Sequence, residues 1–393
     1  MFTNQEYKLL AKAEQRKRLK EIAAVFLKLG AVAFGGPAAH IAMMDDELVQ
    51  KRKWLTRERF ADLIGAVNLI PGPNSTELAI HIGFVRGGAA GLFIAGAAFI
   101  LPAMLIVLVL AALYVSYGAL PEVSGILYGV KPVIMAIVLH ALYRLGKTII
   151  KGWLPMVLAA AVVALSFLGT GNIPLLAGAG LIAMLYKNWE KLKGRMFSLA
   201  LPLAFLAPAA GGIAPLSGSM PLHTLFLSFW KIGSVLYGSG YVLLAFLEAE
   251  FVRGFAIITS RQLLDAVAVG QFTPGPVFTT ATFIGYLVRG LPGAIAATLG
   301  IFLTSFLLVF LLNPLIPKLR KSAWVSGALD GVNAASLGLM AVVSVKLGIE
   351  SLADPLPVGL FLVSFALMIK FKFNTAWAIL LGGAIGLAVQ YLG

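Results

Sequence analysis

A few ionisable side chains stand inside stretches that are otherwise apolar. Lys28, His40, Glu77, His81 and Arg86 do so in the first half of the chain, and Lys231 and Arg289 in the second. Placing a charge within a membrane span costs roughly a few kcal/mol or more, so a cation there is a functional candidate by default. Lys28 and Lys231, each two residues before a glycine, would draw in a dianion. Arg86 and Arg289 each offer a planar fork that fits two oxygens of a tetrahedral anion. Glu77, His40 and His81 change charge and are the candidates for moving protons. Each has a plainer alternative: snorkelling lysines, arginine anchors at a membrane boundary, and polar groups hydrogen-bonded to nearby backbone.

Two kinds of helix break accompany these residues. Residues 34–41 read FGGPAAHI and residues 71–77 read PGPNSTE; their counterparts are YGSGY at 237–241 and PGPVFT at 274–279. Glycine permits unusual backbone angles and proline removes a donor, so neither belongs in the middle of a regular helix. Irregular backbone at membrane depth survives only where protein or a water-filled cavity covers it. A break leaves a half-helix with free N–H groups and a positive dipole end, and several such ends converging make an anion site. Gly35, Gly36, Gly72, Gly238, Ser239 and Gly275 are therefore expected to admit backbone contacts with the anion. Asn68, Asn74, Ser75, Thr76, Gln271, Thr279 and Thr280 supply neutral polar groups beside them. Asp62 and Asp265 are expected to cap the second broken segment of each half and face water.

The elements that must position these groups are membrane helices. The 393 residues are 60% hydrophobic and only 12% charged, and residues 87–121, 152–186, 196–230 and 290–317 carry no Lys, Arg, Asp or Glu. A span needs about 20 apolar residues, so several crossings follow and an ordinary soluble enzyme is excluded. The net charge of +14 lies in short stretches between apolar runs, which reads as topogenic charge and not as a nucleic-acid surface. There is no cysteine, hence no disulfide, thiolate nucleophile or thiolate metal site. Residues 1–21 read as a basic cytoplasmic arm with no removable signal, so the first hydrophobic segments are expected to drive insertion.

An internal repeat organises the rest. Sliding the chain so that Lys28 meets Lys231 also aligns Gly30 with Gly233, Glu47 with Glu250, Asp62 with Asp265, Pro71-Gly72-Pro73 with Pro274-Gly275-Pro276, and Arg86 with Arg289. One residue less of shift aligns Gly129 with Gly331 and Asn172 with Asn374. Each half reads as two segments broken by Gly and Pro, then four cleaner helices: about 22–44, 60–85, 88–116, 125–145, 153–169 and 173–186, then 225–247, 263–288, 290–314, 328–348, 355–369 and 374–391. The expected division is a first repeat over 22–195, a linker span over 196–224 and a second repeat over 225–393. Lys and Arg crowd 51–59, 144–151 and 187–195 in the first half but 318–321 and 370–372 in the second, which fits a second copy of inverted topology. The N-terminus is expected in the cytoplasm and Gly393 outside. The first two segments of each half either both cross or both re-enter, with the same topology downstream; the return of basic residues at 51–59 favours re-entry.

With the Phe-Gly-Gly-Pro and His40, the two Pro-Gly-Pro motifs and the two-copy plan, the whole chain resembles the chromate ion transporter family in its long two-domain form. The resemblance implies an all-α, multi-pass carrier of the inner membrane with antiparallel halves, exporting chromate at the expense of the proton motive force. Three positions depart from the family pattern, which favours histidine at Tyr241, proline at Ala245 and glutamine at Glu77. The partners implied are a small oxyanion, chromate or sulfate, together with protons and membrane lipid; nucleic acid, a cofactor and a metal are not expected, and a homodimer is allowed but not demanded. A passive anion channel remains the alternative for half-helix ends and lysines. An enzyme is disfavoured, since no catalytic pair or zinc-like spacing is found, and an ATP-driven pump lacks its phosphate loop.

Overall fold

The structure is a computed structural model that describes residues 7, 9–118, 120–189, 220–237, 240–313, 315–371 and 373–392. Gly238, Ser239, Gly393 and most of the expected linker span fall outside the described residues. The described part is helical, and five of its helices are long and apolar enough to cross a membrane.

In the first repeat, α1 (Lys12–Val32) is followed by α2 (Gly36–Met44), which runs on as a π-helical turn over Asp45–Lys51. Then come α3 (Arg57–Val67), α4 (Asn74–Tyr117), α5 (Pro121–Ile149), α6 (Trp153–Phe167) and α7 (Asn172–Lys187). The second repeat follows the same plan with α8 (Leu222–Val235), α9 (Leu243–Leu247) with a π turn over Glu248–Gly254, and α10 (Ser260–Phe272). A 3-10 turn (Val277–Thr279) leads into α11 (Thr280–Leu312), and α12 (Ile316–Arg320), α13 (Ala323–Ser351), α14 (Pro355–Phe371) and α15 (Thr375–Leu392) complete it.

Local chemistry sets these boundaries. Thr56 caps α3 by accepting from the Arg59 N–H, and Thr259 with Gln262 forms a reciprocal capping box at the start of α10, satisfying donors that the first turn leaves free. Asp265 is therefore no cap. It sits inside α10, 1% exposed, in an ion pair with Lys131 of α5 (3.1 Å) and accepting from Tyr114 (2.9 Å). Its repeat mate Asp62 faces water as expected but lies in the middle of α3 and is no cap either.

The 44 residues of α4 are two helices folded on each other. Gly87 and Gly88 leave the helical region, Gly88 with φ 62°, and the backbones of Gly83 and Gly91 touch. Eight residues of unbroken helix would hold those two about 12 Å apart. The arm from Asn74 thus doubles back at Gly87-Gly88 before the long crossing begins, as a re-entrant segment does. In α11 the same fold occurs at Arg289 and Gly290 (φ 61°), with Gly285 against Gly293. Gly87 is thereby matched by Arg289, not Gly290. The second repeat runs one residue shorter between its Pro-Gly-Pro and the fold, so Arg86 and Arg289 are not equivalent as the ungapped alignment had them.

The repeats are inverted in space. Phe93, near the start of the long arm of α4, stacks at 5.7 Å on Phe306, near the end of the long arm of α11, so the equivalent arms run antiparallel. Each repeat also lends its fourth helix to the other. Gly129 of α5 meets the backbone of Gly382 and Gly386 on α15, and Gly331 of α13 meets Ala179 on α7; small residues allow such approach where lipid gives no hydrophobic drive.

At the centre, the breaks hold each other. The Gly72 N–H donates to the Leu236 carbonyl and the Gly275 N–H to the Ala33 carbonyl, both at 2.9 Å. Leu236 and Ala33 are the residues that end α8 and α1.

Glycine contacts of this kind predict a graded response. A Cβ on Gly30 would lie 2.5 Å from the Phe99 carbonyl oxygen, whereas one on Gly178 would meet nothing within 4 Å. Gly30→Ala should cost about 1–3 kcal/mol through forced separation of α1 from α4, while Gly178→Ala should be neutral or slightly stabilising. Thermal unfolding of the purified protein in detergent checks both; equal melting temperatures would contradict this packing.

Candidate functional site

A cavity of about 860 Å³ enters the molecule from the end where α5 finishes and α15 begins, and reaches the first break. Its walls are the α2 entry (Phe34, Gly35, Pro37, Ala38, Ala39), one face of α5 (Ile137, His140, Arg144, Thr148), Tyr241 beyond the second break, and the α14–α15 junction (Met368, Asn374, Thr375). Gly35 is left-handed at φ 104° and Pro37 occupies the first turn of α2, so the chain turns abruptly and presents a helix N-terminus to the cavity. The first-turn N–H groups of such a helix have no intrahelical acceptor, and its dipole end is positive. Arg144 adds a guanidinium that is exposed and forms no ion pair with any described carboxylate. No Asp or Glu is among the described lining residues. Backbone donors, an uncompensated cation, a histidine and a tyrosine around an acid-free cavity suit an anion of a few ångströms' diameter.

His40 sits buried behind this entry. Its Nε2 donates to the Ala33 carbonyl (3.0 Å), the same oxygen that accepts from Gly275, and its Nδ1 faces the Ser75 hydroxyl (3.1 Å). The carbonyl requires the proton on Nε2, leaving Nδ1 as the acceptor for Ser75. The imidazole thus ties α2, the end of α1 and the Pro-Gly-Pro arm together, with Phe99 against its ring edge at 5.6 Å.

The Pro-Gly-Pro groups are placed in the interior between the repeats. Gly72, Ser75, Thr76, Glu77, Gly275 and Thr279 are buried. Glu77 accepts from Ser305 of α11 (3.3 Å) on Oε1, while its Oε2 and the Thr76 hydroxyl meet no hydrogen-bond partner among the described residues. His81 lies one turn further along the same arm, also buried. Thr279 and Thr280 donate to the Pro276 and Val277 carbonyls (2.8 Å each), and Asn74 donates to Asn68 across the first break (2.8 Å). Gln271 borders a small void at the second break. The glycine N–H groups of both breaks are already donated to carbonyls of the opposite repeat, whereas the first-turn N–H groups of α2 border the open cavity.

The lysines are placed elsewhere. Lys28 pairs with Glu47 (3.3 Å) and Lys231 with Glu250 (2.5 Å), and their side chains are 61% and 42% exposed. Glu47 also accepts from Arg52 (2.7 Å); that bond, joined by Lys28, holds its carboxyl below the usual carboxylate range against the cost of burial. Arg86 pairs with Glu21 (2.7 Å) and lies 4.0 Å over the Trp54 ring, tying the fold of α4 to α1. The sequence marks neither Arg144 nor His140 as a binding residue: His140, on a clean helix without a histidine at its repeat position, reads as structural, yet both line the cavity. An arginine between two apolar runs looks the same whether it faces headgroups or a cavity.

The chromate transporter family profile matches residues 20–185 and 223–387, one match per repeat. The chain is 34% identical to a probable chromate transport protein of Synechococcus elongatus, with 86% of each chain covered. It is 32% identical to the chromate transport protein of Cupriavidus metallidurans (95% of this chain, 93% of that one) and 31% identical to that of Pseudomonas aeruginosa (93% and 91%). No solved structure matches it.

The paired lysines generate a test of their own. If Lys28 serves Glu47, the double variant Lys28→Met/Glu47→Gln should be no less stable than Glu47→Gln alone. Lys28→Met should itself lose no more than about 1 kcal/mol, as for an exposed pair, with substrate affinity unchanged. A clear fall in the affinity of Lys28→Met at unchanged stability would instead give the lysine a place in anion binding.

Proposed function

Because the chain belongs to the chromate transporter family and is a multi-pass membrane protein, we propose that it carries chromate, a tetrahedral dianion, through the cavity beside Arg144, outward across the inner membrane. The observation that carries this reading is the acid-free cavity joining the N-terminus of α2 to the Arg144 guanidinium. An anion stripped of water needs replacement donors. First-turn N–H groups of α2, the Arg144 fork and the Tyr241 hydroxyl are the groups suited to provide them. Sulfate has the same charge and shape and is the natural competitor at such a site.

Direction follows from charge. Lys147 and Lys370 stand in the last turns of α5 and α14, the helix ends that border the cavity, and Lys151 follows α5 directly; the excess of basic residues assigns that end to the cytoplasm. The cavity is then open inward. With the inside negative, moving a dianion out gains about 4–5 kcal/mol per 100 mV, so export is electrically downhill and import is not. Coupling to protons is assigned to Glu77 and His81, buried ionisable groups one turn apart between the repeats.

Two variants test this in proteoliposomes. Arg144→Met should raise the chromate concentration needed for half-maximal flux by about tenfold or more, and Arg144→Lys should recover it only in part, since the fork is lost. Unchanged affinity in Arg144→Met would remove the cavity from the pathway. Glu77→Gln should abolish the response to an imposed pH gradient while voltage-driven flux persists; a retained response would assign coupling elsewhere.

A further inference from the structure

The two repeats match in sequence but differ in conformation, and one pair of asparagines marks the difference. Asn172 opens α7 and Asn374 directly precedes α15, at equivalent places in the two repeats. The Asn172 amide donates to the Ala245 carbonyl at 3.1 Å. That carbonyl stands where α9 passes into its π turn, and the Glu248 N–H is shared between it and the Leu244 carbonyl, so it retains capacity to accept. Ala42 is its repeat mate, at the junction of α2 with the other π turn, where the Asp45 N–H is shared in the same way. Asn374 does not reach for it. Its Oδ1 accepts from the Ala376 N–H (2.8 Å), and the residue lines the open cavity.

Burial follows the same division. His140 and Leu145 line the 860 Å³ cavity, whereas their repeat mates Val342 and Leu347 are each 1% exposed. The void at the second break, beside Tyr241 and Gln271, is about 10 Å³, room for a single water at most.

We infer that Asn172 and Asn374 are alternating gate residues, and that this structure is one of two states in which the repeats exchange conformations. The present state is latched by Asn172 on the Ala245 carbonyl. In the other, Asn374 donates to the Ala42 carbonyl, the Arg144 cavity closes, and a mirror cavity opens at the opposite end of the molecule. Lys346, the repeat mate of Arg144, is the cation that receives the anion there. The equal chemistry of the two latches keeps the states close in energy, as a carrier needs if neither is to trap it. This inference rests on the carrier reading above.

The chain has no cysteine, so single cysteines report accessibility directly. In purified full-length protein, Leu145→Cys should react quickly with a charged, water-soluble thiol reagent and Leu347→Cys slowly. Adding Asn172→Ala removes one hydrogen bond from the present state, worth about a fivefold shift in population. It should speed Leu347→Cys and slow Leu145→Cys by that order. Asn374→Ala should leave Leu145→Cys fast. Mere loosening around α7 would speed Leu347→Cys without slowing Leu145→Cys, and that result overturns the proposal. Should Asn172→Ala fail to assemble, Asn172→Asp keeps the shape without the donor, and unchanged rates in it overturn the proposal equally. The labelling needs no chromate, so reciprocal rates without chromate flux would fault the substrate and leave the gate standing.

Discussion

Two backbone hydrogen bonds carry the centre of this protein. A helix that stops inside the apolar layer leaves carbonyls without donors, each a cost of roughly several kcal/mol where water is absent. Here α1 and α8 end at Ala33 and Leu236, 1% and 0% exposed, and those carbonyls are met by the Gly275 and Gly72 N–H groups of the opposite repeat. The tripeptide that does this is economical: its two prolines have no N–H to satisfy, so the glycine between them is the sole donor. Neither repeat can close its own break, which is why the two halves form one unit with the broken segments at its heart.

The functional geometry follows from that constraint. Tying Pro-Gly-Pro across the interface fixes where α1 ends, and His40 reinforces the same carbonyl from α2. The chain must then re-start as a helix at Gly36, with its N-terminus facing the space left beside α5. Because the fourth helix of each repeat packs on the last helix of the other, that space is walled by both repeats. A change in how the repeats meet therefore changes the cavity. The two Lys–Glu pairs and the Arg86–Glu21 pair brace the broken segments without lining it.

Much of the architecture was legible in the sequence because it is written in local terms. Uncharged runs, Gly-Pro breaks and a repeated Pro-Gly-Pro gave the segments, the two copies and the broken starts. What stayed hidden depended on partners far along the chain. Gly87-Gly88 reads as the start of a span, and only the contact of Gly83 with Gly91 shows that the chain folds back there. The one-residue difference between the repeats could not be seen from identities alone, since arginine happens to stand at both 86 and 289. Asp265 has the sequence neighbourhood of a helix start, but Lys131 and Tyr114, which bury it, come from the other repeat. The same holds for Arg144: topogenic arginines and cavity arginines share a local sequence and differ only in what the distant Gly35 and Asn374 place beside them.

The account turns on where the anion rests. Anomalous X-ray scattering at the chromium edge, from crystals of the full-length protein grown with chromate, locates the metal atom of the substrate itself. The account predicts a peak in the cavity between the Arg144 guanidinium and the first turn of α2, within direct hydrogen-bonding reach of both through the chromate oxygens. A peak beside Lys28 and Glu47, or one buried at Gly72 and Gly275 away from Arg144, would contradict it.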